Sequence, residues 1–208
     1  MKKLIGLMMI VFVMGMFSMS FAQKYNTTLS LRTGVNVCNL TPPARTSNMS
    51  FPFIGMTITK WDTNSTNYIG ARLDASFQVK GANASYSEYY DGYLLTIDEN
   101  FRTYESSFGG AICYGNSKVY GYIGGDLSYI ISAKDNIHIN YGGEAYSDNI
   151  DMTNEVFPLQ ANGIVGLHYY LFDIRYTHGF TPQWKHEYNS PKTQSFTFAL
   201  ELPLNHSM

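Results

Sequence analysis

Eight stretches of the chain alternate apolar and polar residues with a period of two, and the connections between them alternate long and short without exception. A period of two is that of a β-strand, whose successive side chains point to opposite faces. The stretches are 29–40, 53–61, 67–80, 103–114, 119–131, 157–169, 172–180 and 195–204. In the third, Ile69, Ala71, Leu73, Ala75, Phe77 and Val79 alternate with Gly70, Arg72, Asp74, Ser76, Gln78 and Lys80. The connections are 41–52, 62–66, 81–102, 115–118, 132–156, 170–171 and 181–194. The stretches run 9–14 residues, close to the ~9–11 that a tilted strand needs to cross hydrocarbon and longer than the ~5–6 usual in soluble sheets. Short turns at one end and long loops at the other are the habit of outer-membrane barrels.

Lipid offers no partner to an unpaired backbone N–H or C=O, so a sheet within it must close on itself. Eight strands is also the count at which side chains just fill the interior. The expected fold is therefore all-β: an eight-stranded, antiparallel, up-and-down transmembrane β-barrel with a side-chain-filled lumen, and both termini on the short-turn side. Aromatic residues gather where a girdle would lie. Trp61, Tyr68, Tyr114, Tyr169 and Phe172 stand beside the short turns; Phe77, Tyr129, Phe157, Phe180 and Phe196 stand beside the long connections.

The N-terminus fits an exported protein. Lys2 and Lys3 precede an apolar run from Leu4 to Phe17, with small residues at Ser20 and Ala22. This predicts a cleaved signal peptide over 1–22 and a barrel domain over 23–208; the run falls short of the ~20 residues of a retained helical anchor. Loss of Lys2 and Lys3 leaves 12 basic against 16 acidic residues. No basic tract suggests nucleic acid. Cys38 and Cys113 fall on the first and fourth segments, which are not neighbours, so two free thiols are expected, and neither has a His or Cys at zinc-ligand spacing.

The inward face collects Arg32, Arg72, Lys80 and Arg175 with Asp74, Glu105, Asp126, Asp173 and Glu201. Charges in a narrow lumen must pair, so these nine are read as a structural charge network, with a proton or ion path as the functional alternative. Lys60, facing outward near a turn, can snorkel. For catalysis, His138, His168 and His178 are available with Ser128, Asp126 and Glu201, but no G-x-S-x-G motif marks a nucleophile. No catalytic residue, cofactor or metal is assigned. Connection 81–102 holds Tyr86, Tyr89, Tyr90 and Tyr93 among Asp91, Asp98 and Glu99; connection 132–156 holds Asp135, Glu144, Asp148, Asp151 and Glu155. Tyr-rich loops suit recognition, and no calcium-loop spacing is present.

Three stretches resemble a known family: Leu31-Arg32-Thr33-Gly34-Val35-Asn36; Ala71 to Gly81, ending Gln78-Val79-Lys80-Gly81; and Tyr120 to Tyr129 with Gly124-Gly125, followed by Asp173-Ile174-Arg175-Tyr176-Thr177-His178-Gly179-Phe180. Over roughly 29–204 the chain resembles the PorT-like outer-membrane β-barrels of Bacteroidota. It departs from them in lacking a proline in the fourth segment and a terminal aromatic residue. The resemblance implies an outer-membrane location and, through the founding member, a part in protein secretion; it carries no catalytic residues. The expected partners are outer-membrane lipid and envelope or secretion-machinery proteins. The expected function is non-catalytic, as a structural or assembly barrel. A surface-loop adhesin or ligand binder is the alternative, ahead of a rim or lumen enzyme or a soluble lipid-holding barrel.

Overall fold

Each alternating stretch forms a strand, because alternation lets one face meet an apolar surrounding while the other meets polar partners. The computed structural model describes residues 25–41, 46–62, 68–185 and 191–204. The expected signal peptide lies outside these residues, as does the C-terminal 205–208. Among the described residues there are nine strands: β1 (Tyr25–Leu40), β2 (Thr46–Asp62), β3 (Ile69–Tyr90), β4 (Tyr93–Gly115), β5 (Val119–Tyr141), β6 (Glu144–Asp151), β7 (Leu159–Tyr169), β8 (Phe172–Gly179) and β9 (Thr193–Pro203).

All pairings are antiparallel. β1 to β5 pair in sequence, β5 then pairs β7, and β7, β8 and β9 follow in turn. β9 returns to β1, from Ser30↔Pro203 to Leu40↔Thr193, which closes an eight-stranded barrel. β6 stands outside the ring and pairs only the far half of β5.

The two longest connections are not loops. β3 runs on to Tyr90 and β4 starts at Tyr93, so 81–102 is almost wholly a hairpin. β5 continues to Tyr141 and pairs β6, so most of 132–156 is a second hairpin. Asp91-Gly92 and Gly142-Gly143 make the turns, with positive φ at all four residues, as two-residue hairpin turns require. Beyond the ring, the far ends of β3, β4, β5 and β6 form a four-stranded blade.

A bulge at Ile131 adjusts the parity of β5: Glu105 pairs Ile130 while Tyr104 pairs Ser132. The extra residue lets the barrel half and the blade half each keep their faces aligned.

The barrel is polar within and apolar without. All nine predicted lumenal charges are buried. Outward residues such as Ile54, Ile112, Ile123 and Leu167 are each more than half exposed. Tyr68, Tyr114, Tyr169 and Phe172 form the expected exposed ring at the short-turn end. Trp61 does not join it. Its parity on β2 turns it inward, where it is 7 % exposed and meets Tyr120 edge-on at 5.2 Å. Its place beside a turn suggested a girdle, but parity decides direction. Cys38 and Cys113 are both buried free thiols.

The ring curls so tightly that some inward positions admit no side chain. A Cβ at Gly124 would lie 2.0 Å from the Gly110 carbonyl oxygen across the β4–β5 pair. Gly124→Val is expected to prevent closure. The check is migration on a denaturing gel with and without heating: the wild-type barrel should shift, and the variant should not.

Candidate functional site

The lumen is filled in layers. At the short-turn end, Trp61 and Tyr120 form an aromatic floor, and the Tyr120 ring stacks on His168 at 4.6 Å. A cavity of about 70 Å³ between Trp61, Tyr120, His168 and Glu201 opens toward that end.

Above it, six of the nine predicted charges form one network. The Arg72 guanidinium donates to Asp74 at 3.1 Å, to Glu201 at 3.0 Å and to the Tyr120 hydroxyl at 2.8 Å, and lies 3.3 Å from Asp173. Arg175 donates to Asp74 at 2.6 Å. Arg32 pairs with Asp173, which also accepts from the Tyr122 hydroxyl at 2.9 Å. Three arginines face three carboxylates, so the layer is neutral. The Arg72 guanidinium also lies 4.6 Å from the Tyr122 ring centroid, within cation–π reach.

The other three predicted charges lie apart from these. Lys80 and Glu105 pair at 2.9 Å. Asp126 accepts from Asn162 at 2.6 Å and from Ser128 at 3.4 Å. Asn36, Gln78 and Thr197 add a chain of amide and hydroxyl bonds in the same half of the lumen. The far end is capped: Gln183 receives a bond from Gln160 at 3.0 Å, and the Trp184 ring packs against Phe101 at a tilt, centroids 4.5 Å apart, beside Val156 and Ile130. Arg72, Lys80, Gln160, Gln183 and Val156, spread over these layers, are almost wholly shielded from solvent. The lumen is a plug.

Tyr120 and Tyr122 share the inward parity of Asp126 and Ser128, while their bonds to Arg72 and Asp173 depend on the closed ring. Gln183 and Trp184 come from the 181–194 connection, which has no alternation to reveal a direction.

His168, Asp173 and Glu201 offer ligand atoms within 4.8 Å of one another. Both carboxylates are already engaged by Arg72, whose positive charge competes with a metal ion for them. Of the candidates for catalysis, His168 and Glu201 come within 3.6 Å, but Ser128 joins no histidine among the described residues. His138 lies on the blade, bonded to Ser147; Asp98 beside it is taken by Ser85. His178 contacts Tyr176. Ser128 is bonded by Asp126 and Asn162.

The blade has two unlike faces, each built of rows that run across its four strands. On the face continuing the outside of the barrel, Asn83, Asn100, Asn136 and Asn149 form one row, and Ser85, Asp98, His138 and Ser147 the next. On the face continuing the lumen side, one row is Tyr86, Ile97, Ile139 and Tyr146. Burial, and then the neighbouring Asp135 carboxylate, push the Glu99 carboxyl on that face above its ordinary range; burial does the same to Asp135.

No family model and no curated protein matches the chain. Among solved structures, one that aligns is Ail, the attachment invasion locus protein of Yersinia pestis, in complex with the heparin analogue sucrose octasulfate. The alignment has 12 % identity and a TM-score of 0.36, covering 86 % of this chain and 99 % of that one.

Two outcomes are expected. Arg72→Ala leaves three carboxylates short of a partner, so it should cost roughly 3–5 kcal/mol of barrel stability, read from the urea midpoint in micelles. Glu99→Gln should stabilise the blade at neutral pH. A carboxyl whose pKa rises on folding contributes stability that is fully present below its unfolded pKa and is lost as pH rises through the folded value. Amide exchange in β3 and β4 should therefore slow in the variant at pH 7 and match the wild type in acid.

Proposed function

We propose that this chain is a non-catalytic outer-membrane barrel that holds its blade outside the cell as a binding platform. One observation carries the reading. On β3 the outward residues are apolar from Ile69 to Val79 and then turn polar at Asn83 and Ser85. On β4 the same change falls between Tyr104 and Arg102, and on β5 between Ile131 and Lys134. Val79, Tyr104 and Ser132 stand in one register, so the change occurs at one height.

Ten residue steps at ~3.3 Å make ~33 Å of strand. Tilted by about 40°, they stand ~25 Å tall, the height of the apolar band in outer-membrane barrels. Arg102 and Lys134 pair directly just beyond the band, where cations meet lipid headgroups. The strands then continue for about ten further residues in β3 and in β4, length that crossing the bilayer does not require. With the lumen filled, transport is not what the fold offers; the surface outside the band is.

A place in an envelope or secretion assembly, as the PorT-like resemblance implies, is the second reading. It would use the short turns such as Asn116–Lys118, whose geometry Asn116 holds by accepting from two backbone N–H groups at 2.9 Å.

A photo-crosslinking residue at Tyr89, near the blade tip, should capture partners in the native membrane, while one at Asn116 should not. The reverse result would move the working surface to the periplasm and end the platform reading. Reconstituted in planar bilayers, the wild-type protein should give no stable conductance.

A further inference from the structure

The lumen-side face of the blade has a pattern that neither the barrel nor its plug explains. Tyr86, Ile97, Ile139 and Tyr146 line up across four strands, an apolar row of three strand spacings, ~14 Å long. Tyr86 is 48 % exposed and Tyr146 61 %, so the ends of the row are open to solvent. The row on the tip side is Glu88, Leu95, Tyr141 and Glu144; the row on the barrel side is Ala84, Glu99, Ile137 and Asp148. Next below come Phe101, Asp135 and Ile150.

The charged residues of this face are Glu88, Glu99, Asp135, Glu144 and Asp148, all acidic, with no cation among them. Glu99 and Asp135 repel one another, and one buried oxygen of Asp135 has no hydrogen-bond partner. The lumen, by contrast, pairs its carboxylates with arginines.

Resting on the platform reading above, we infer that this face docks a cationic amphipathic peptide segment. Its apolar side chains lie along the Tyr86–Ile97–Ile139–Tyr146 row, and Lys or Arg on its two flanks reach Glu88 and Glu144 on one side and Glu99 and Asp148 on the other. The chemistry selects the occupant. Anionic lipid and sulfated sugar are repelled by five carboxylates. A small cation alone makes no use of the apolar row. A peptide with alternating apolar and basic residues uses both, and its charges relieve the repulsion that the free face carries.

The test uses the whole barrel in phosphatidylcholine nanodiscs and three short fluorescein-labelled peptides, of alternating Lys and Leu, Lys and Ser, or Glu and Leu. Anisotropy is read against empty nanodiscs. The Lys/Leu peptide should bind, and the other two should not. Glu99→Gln with Asp148→Asn should weaken binding about tenfold, and Ile97→Ser with Ile139→Ser comparably. Asp98→Asn, on the opposite face, should change nothing. Heat-dependent gel migration confirms that each variant is folded. No binding by wild type, equal binding of the Lys/Ser peptide, or indifference to the Glu99/Asp148 pair would overturn the inference. Crosslinks from Tyr89 that persist undiminished in the Glu99/Asp148 variant would sink this face while leaving the platform standing.

Discussion

Closure of the sheet is the constraint from which the rest follows. Once β9 pairs β1 along eleven registered positions, the ring has no free edge, and its interior is only wide enough for side chains. Whatever points inward must then be satisfied there. That is why Arg72 is surrounded by Asp74, Asp173, Glu201 and Tyr120. A buried guanidinium is tolerable only when its donors are used and its charge is matched, and three arginines against three carboxylates meet that condition. The glycine at 124 belongs to the same constraint, since the curl leaves no room for a Cβ.

The same geometry separates the packed lumen from the open blade. The aromatic floor is bonded to the arginine layer, Gln160 is bonded to the Gln183 cap, and the buried side chains of these layers fill the narrow barrel. The blade is different. It is built from the same strands, so its orientation is set by the barrel, but its faces are no longer governed by the same surroundings. Below the boundary at Val79 and Tyr104 the outer face is apolar and the inner polar; above it the outer face carries asparagine and serine rows and the inner face carries Ile97, Ile137 and Ile139. The outer face therefore changes from apolar to polar at one height, while the inner face beyond it mixes isoleucines with carboxylates.

Much of this was legible in the chain alone. The period of two, the alternation of long and short connections and the charges on one parity led to eight strands, their order and a polar lumen, because strand direction and side-chain direction are local properties. The blade is legible in the sequence as well. Leu95, Ile97 and Phe101 alternate with Thr96, Asp98 and Asn100, and Asp91-Gly92 is a two-residue turn signal. Hydrocarbon thickness sets the least length of a spanning strand but not how far it continues beyond the bilayer, so these residues fall in a connection when only that length is applied.

What the chain alone could not disclose was which charges meet. Arg32 and Asp173 are 141 residues apart, Arg72 and Glu201 129, and nothing in their spacing says that Lys80 and Glu105 form a separate pair. Gln183 and Trp184 came to cap the lumen by the same cause. Parity and composition are written residue by residue, whereas partnership across a closed ring depends on its curl and stagger, which exist only once β1 has met β9.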